Sequence, residues 1–221
     1  MMIFKEGMMF RILTLFLFAC SDLLSYKAHD YSSLLGMPGF SDELLQIHFK
    51  LYEGYVKNAN DLLGKLETMN PTSYECGALR RRLSWEFDGM RLHELYFDNL
   101  GGQNRLGKKN PLYIAIANQF GSFEKWKQDF IATGMIRGIG WALLYYDPEG
   151  NRLFNVWINE HDTGHLATGK PILIMDVFEH AYMVQYKLDK AKYIEAFFNN
   201  IDWEEVSKRY NEAHKEMEDL Q

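Results

Sequence analysis

Apolar residues recur along the first half of the chain at the spacing of a helix. Leu44, His48, Leu51, Tyr55, Ala59 and Leu62 lie 4, 3, 4, 4 and 3 residues apart, a period that lines one face of an α-helix. Ser41-Asp42-Glu43 reads as its start, with acids in the first turn. Asn70-Pro71-Thr72-Ser73 breaks the chain, and Leu79, Leu83, Phe87, Met90, His93, Phe97 and Leu100 repeat the pattern before Gly101-Gly102 closes a helical hairpin. Asn110-Pro111 opens a third helix, proline being tolerated in the first turn. Ser122 caps a fourth, which carries Trp126 and Phe130. The pattern then changes. Ala142 to Tyr146 and Leu153 to Ile158 read as strands joined by the turn Asp147-Pro148-Glu149-Gly150-Asn151, and Ile172 to Val177 reads as a third strand. Helices return at Lys192 to Phe198 and from Trp203 to about Met217. Helices followed by a small three-stranded antiparallel sheet flanked by helices predict an α+β fold. The expected division is an extension at 1–25, a helical hairpin domain at 26–108 and a C-terminal α/β domain at 109–221.

Each helical stripe carries one histidine where an apolar residue belongs. His48 sits mid-face, with Tyr55 seven residues on, about 700° of rotation and so nearly above it. His93 interrupts the second stripe, with Tyr96 following. A core histidine bonded to a neighbour is the ordinary explanation for either one; a metal ligand is the other. The third strand, Ile172-Leu173-Ile174-Met175, delivers Asp176 four residues before His180. Burying an unpaired carboxylate costs several kcal/mol or neutralises it. A metal cation is one compensation, and a buried Asp–His hydrogen bond is another. Two antiparallel helices with one inward histidine each let both imidazoles meet at one point, which makes a set of three histidines and one aspartate.

Composition narrows the class. With 221 residues, 47% of them hydrophobic and 15% aromatic, the chain can bury a large core. A net charge of −6 argues against nucleic-acid binding and means that an anionic substrate needs a local positive funnel. The two cysteines, Cys20 and Cys76, form no framework and no CxxC pattern. No phosphate-binding loop, dinucleotide fingerprint or nucleophile elbow occurs.

Five ordered segments carry a resemblance to a known family. Asp176-Val177-Phe178-Glu179-His180-Ala181-Tyr182 resembles the metal signature of the iron/manganese superoxide dismutases, which usually has Trp where Phe178 stands. His93-Glu94-Leu95-Tyr96-Phe97-Asp98-Asn99-Leu100-Gly101-Gly102 is similar to that family's second-helix segment. Phe120-Gly121-Ser122-Phe123, Gly138-Ile139-Gly140-Trp141 and Asn200-Ile201-Asp202-Trp203-Glu204 match three further landmarks. The resemblance, over about Tyr26 to Tyr210, implies one Fe or Mn ion per chain on His48, His93, Asp176 and His180, with solvent in a fifth position. It implies superoxide as substrate, a homodimer, and Tyr55 as gateway tyrosine. Trp141 takes the place of an aromatic packed on the metal, Phe178 that of another, and Glu179 that of the residue that reaches the partner's metal-binding histidine. At Gly89, iron enzymes commonly carry the glutamine that bonds the metal-bound solvent. His161, in Asn159-Glu160-His161-Asp162, stands where manganese enzymes commonly have theirs and is the expected solvent partner. Lys190 falls where the family has a basic channel residue; a solvated surface lysine is the other reading. Iron and manganese both remain open.

Departures accompany the match. One residue fewer separates His48 from Tyr55 than is usual, which predicts a regular helix where relatives need a π-bulge. The family's second histidine on that helix is absent, with Leu51 or Tyr52 nearby, and Met183 replaces the tyrosine that would bond it across the dimer. These changes motivate an alternative, a non-catalytic metal-binding or structural descendant of the fold. An iron oxygenase, with two histidines and one carboxylate, fits the ligand set less well. Lys5 and Arg11 precede a short apolar run from Ile12 to Cys20, too short to span a bilayer. Leu17-Phe18-Ala19-Cys20 resembles a lipoprotein cleavage box, so export or lipid anchoring is one reading. Glu6 and the brevity of the run favour a cytoplasmic protein with a non-functional extension.

Overall fold

A computed structural model describes residues 25–218; the candidate signal segment, with Cys20, lies outside them but for Ser25. Helix α1, Asp42–Thr68, runs 27 residues without interruption, as the shortened His48–Tyr55 spacing predicts. The Ser41 hydroxyl accepts from the Leu44 N–H and caps its start. Its buried face is Leu44, Leu45, His48, Tyr52, Val56, Ala59 and Leu62. The apolar stripe placed Leu51 and Tyr55 in that face; both are half-buried, and Tyr52 takes the central place. Tyr52 is accommodated because its hydroxyl donates to Glu94 and accepts from the His29 N–H, partners that helical spacing does not reveal.

Helix α2, Tyr74–Asp98, is capped by Ser73 and packs antiparallel on α1. Apart from Cys76, its deeply buried residues lie in the second half: Leu79, Leu83 and Phe87 remain half-exposed, while Met90, His93 and Phe97 are enclosed. Helices α3, Pro111–Phe120, and α4, Phe123–Gly134, follow with Asn110 and Ser122 as caps. Gly121, at φ 83°, supplies the left-handed turn between them.

Strands β1, Gly140–Asp147, β2, Arg152–Asn159, and β3, Lys170–Asp176, form one antiparallel sheet in the order β2-β1-β3. β1 is central and buried from Gly140 to Tyr146. That is why it reads as a continuous apolar run instead of an alternation. The register sets Trp141 beside Asp176. Helices α5, Met183–Tyr186, α6, Lys190–Asn199, and α7, Trp203–Glu218, complete the fold. The expected α+β architecture is therefore present, with element ends within about two residues of those predicted. No helix among the described residues is long and apolar enough to cross a membrane.

Asn99 joins α2 to the sheet. Its side-chain oxygen accepts from the Ile174 N–H at 2.8 Å, its amide donates to the Tyr96 carbonyl, and it is fully buried. It therefore fixes the height of β3, and of Asp176 at its end, relative to the helix that carries His93. Asn99→Ala leaves a buried N–H without a partner, a loss of about 1–3 kcal/mol. Urea unfolding of the metal-free variant measures it.

Candidate metal centre

Four side chains from separate parts of the chain converge. His48 comes from α1, His93 from α2, Asp176 from the end of β3, and His180 from the turn that follows. One ligand atom of each lies within 4.8 Å of all the others. The Nε2 atoms of His48 and His180 are each 3.1 Å from Asp176 Oδ2, and His93 Nε2 is 3.6 Å from it. Asp176 and His93 are fully buried, His48 nearly so, and His180 keeps 18% of its side chain exposed.

The hydrogen bonds decide which nitrogens are free. His93 Nδ1 is 2.5 Å from the Gly89 carbonyl. A carbonyl only accepts, so Nδ1 carries the proton and Nε2 presents a bare lone pair. That Nε2 is buried and has no hydrogen-bond partner, and it faces a carboxylate oxygen. Two lone pairs pointed at each other in a dry interior repel unless a cation lies between them. Burial, with the neighbouring His48, pushes His93 well below the usual histidine range, and burial lowers His48 as well. Burial alone would raise Asp176; the fields and hydrogen bonds of His180 and His48 outweigh it and hold the carboxyl well below the usual carboxylate range. His48 and His93 are therefore neutral and Asp176 is anionic, the protonation states that metal binding needs of them. Nitrogen and oxygen donors without sulfur suit iron or manganese. The other oxygen of Asp176 accepts from the Phe178 N–H at 2.8 Å, and its backbone carbonyl accepts from the Tyr193 hydroxyl at 2.6 Å. Tyr96 lies 3.1 Å behind Tyr193, hydroxyl to hydroxyl.

A second layer surrounds these four. Tyr55 stacks on His93 with ring centres 5.2 Å apart, and Trp141 meets His93 edge-on at 5.0 Å. Phe178 lies between His180 and His161, stacked on both at 5.1 and 4.6 Å. The Trp141 indole N–H donates to His161 Nδ1 at 3.1 Å. An indole nitrogen cannot accept, so neutral His161 is protonated on Nε2, which donates to the Tyr55 hydroxyl at 2.7 Å. The Tyr55 proton is left free to point elsewhere. Burial lowers His161 to about 4 and, with the Asp176 charge, raises Tyr55, so both stay neutral across the physiological range.

Gly89 has a geometric role. A Cβ there would stand 2.6 Å from Tyr55 Cδ1 and 2.8 Å from Cε1, so the missing side chain is the space that the tyrosine ring fills. Glu179 is exposed beside His180. Lys190 is neither a solvated lysine nor free: its ammonium donates at 3.0 Å to the Gly134 and Ile136 carbonyls at the end of α4, and burial lowers its pKa. Sequence reasoning had no place for Trp85, which meets His161 edge-on at 5.0 Å. Its position eight residues before the candidate ligand His93 on α2 was the available signal.

The hairpin and the small sheet thus enclose a mononuclear site of three histidines and one aspartate. Residues 108–209 match the model of the iron/manganese superoxide dismutases, C-terminal domain. The chain is 36% identical over 182 residues to the iron superoxide dismutase of Pyrobaculum aerophilum, covering 80% of this chain and 86% of that one. It is 36% identical over 183 residues to the iron superoxide dismutase of Cupriavidus metallidurans, covering 80% and 91%. A manganese superoxide dismutase of Haloferax volcanii is 34% identical over 189 residues, covering 84% and 93%. The chain belongs to the iron/manganese superoxide dismutase family.

Two outcomes follow for the site. Gly89→Ala displaces the Tyr55 ring and breaks its bond to His161, which the Tyr55 ring resonances of the metal-free protein report. In the same metal-free protein, stability is complete above the unfolded histidine value of 6.5 and falls as pH drops towards the folded His161 value of about 4. The unfolded chain takes up protons there that the buried imidazoles refuse. Urea midpoints across that interval measure the slope.

Proposed function

We propose that this protein converts superoxide to dioxygen and hydrogen peroxide, using one Fe or Mn ion held by His48, His93, Asp176 and His180. The observation that carries the reading is the buried, unpartnered Nε2 of His93 facing Asp176, within a donor set of the type these metals take. The ion would supply the one-electron chemistry, accepting an electron from one superoxide and returning it to the next. The chain's own residues do the rest. One carboxylate among three imidazoles offsets only part of a bound cation's charge, so the occupied site would keep a residual positive charge that attracts a small anion in spite of the net charge of −6. Tyr55, accepting from His161, keeps its own hydroxyl proton available at the mouth of the site and is the group that hands protons to the reduced product. His161 has both ring nitrogens taken, one by Trp141 and one by Tyr55, and would tune the ion through the Tyr55 hydroxyl it holds and not through a direct bond to solvent. Trp141, Phe178 and Tyr55 wall the site with aromatic surface and exclude bulk water. Both iron and manganese enzymes occur among the relatives, and either metal is compatible with this shell.

The active form is read as a homodimer. Glu179 and the exposed edge of His180 lie side by side on the surface, where a second copy can bring its own glutamate to the imidazole. With Leu51 or Tyr52 near the place of a histidine and Met183 in that of a tyrosine, one hydrogen bond between subunits would be given up while the glutamate contact is kept. The ion would also tie the two proposed units, 26–108 and 109–221, to each other. The acidic Glu6 and short apolar run of the leader favour a cytoplasmic enzyme.

Purified protein is expected to hold close to one Fe or Mn per chain by elemental analysis and to consume superoxide. His180→Ala abolishes both. Metal-replete protein without activity would overturn the enzyme reading and favour the structural descendant.

A further inference from the structure

His161 is held by more than its immediate neighbours. It sits in a tight knuckle after β2, in which the Asn159 N–H donates to the Thr163 carbonyl at 2.8 Å and the Thr163 N–H donates back at 3.3 Å. Glu160, immediately before His161, has a φ of 54°. That left-handed conformation is strained for a residue with a side chain and persists only where surrounding bonds hold it. One bond reaches the His161 backbone from further along the loop: His165 Nε2 lies 2.8 Å from the His161 carbonyl oxygen. Because a carbonyl only accepts, His165 donates from Nε2. Its Nδ1 lies 2.7 Å from the hydroxyl of Tyr145 on β1. Burial pushes the Tyr145 phenol up to about 12, so the hydroxyl keeps its proton for the contact with Nδ1. Asp88 of α2 stands 3.7 Å from His165 Nε2, and Asp162 lies in the same knuckle. The His165 side chain is 30% exposed, so it is not a core residue whose loss must unfold the protein.

We infer that His165, oriented by Tyr145, is a positioning residue for the reaction. Its imidazole holds the His161 carbonyl and keeps the knuckle in the left-handed turn that seats the His161 ring between Trp141 and Tyr55. The chain of bonds runs from β1 through His165 to the loop backbone, so the central strand sets the ring from behind as well as through Trp141. This rests on the reading of His161 as the hydrogen-bonding group of the metal site.

The test uses the full chain in three variants, His165→Ala, His165→Gln and His161→Ala. In metal-free protein the indole N–H resonance of Trp141, which donates to His161, reports the ring's placement by NMR. His165→Ala is expected to shift and broaden that signal with little change in the urea midpoint. It should lower turnover per bound metal by about tenfold, the lower end of the cost of outer-layer substitutions. His165→Gln, which keeps an N–H donor, is expected to restore both the signal and most of the turnover. An unshifted Trp141 signal in His165→Ala, or a glutamine variant no better than alanine, overturns the inference. If His161→Ala slows turnover and His165→Ala does not, His165 alone loses its role. If His161→Ala leaves turnover unchanged, the reading of His161 falls and the inference with it.

Discussion

The structure depends on one carboxylate oxygen. Asp176 Oδ2 lies in a fully buried position within 3.6 Å of three imidazole nitrogens. Hydrogen bonding can serve some of these contacts, but not the bare Nε2 of His93. A cation at the meeting point satisfies all four donors and cross-links residues as far apart in sequence as His48 and Asp176. The elements around it are arranged to keep this point fixed. Asn99 sets the height of β3, the Phe178 N–H holds the second oxygen, and the Tyr193 hydroxyl holds the backbone carbonyl. The hairpin and the sheet therefore share a binding site that neither forms alone.

Around that point the electrostatics are governed by burial. His48, His93 and His161 are all held neutral by loss of solvent, and Tyr55 is held in its protonated form. In such a setting the direction of each hydrogen bond carries more information than any single charge. Gly89 decides which nitrogen of His93 is bare, and Trp141 decides which nitrogen of His161 donates. Both assignments follow from partners that can act in only one direction, a carbonyl in the first case and an indole N–H in the second.

Much of this was legible in the sequence. His48 and His93 stand out because a helical stripe predicts an apolar residue where each occurs, and Asp176 because a strand with no polar neighbour ends in a charge. Tyr52 was misplaced: an amphipathic side chain can take either face, and its buried hydroxyl depends on Glu94 and His29 from other parts of the chain. Lys190 kept two readings because nothing local announces that its ammonium caps the end of α4. Asn99, Trp85 and His165 were not singled out. Each acts through a contact distant in sequence or through backbone geometry, and periodicity carries neither.

Gly89 links helix packing to the choice of chemistry. A glycine inside a helix lowers its stability by about 1 kcal/mol relative to alanine, yet this one provides the carbonyl for His93 and the hollow for the Tyr55 ring. Any larger side chain at this position would need the volume that the ring occupies. Furnishing α2 with a side chain here is thus not a one-residue exchange. It requires an incoming side chain, a relocated tyrosine and the release of His161 from its hydroxyl partner. Helix packing and the Tyr55–His161 hydrogen bond thus stand or fall together at this one position.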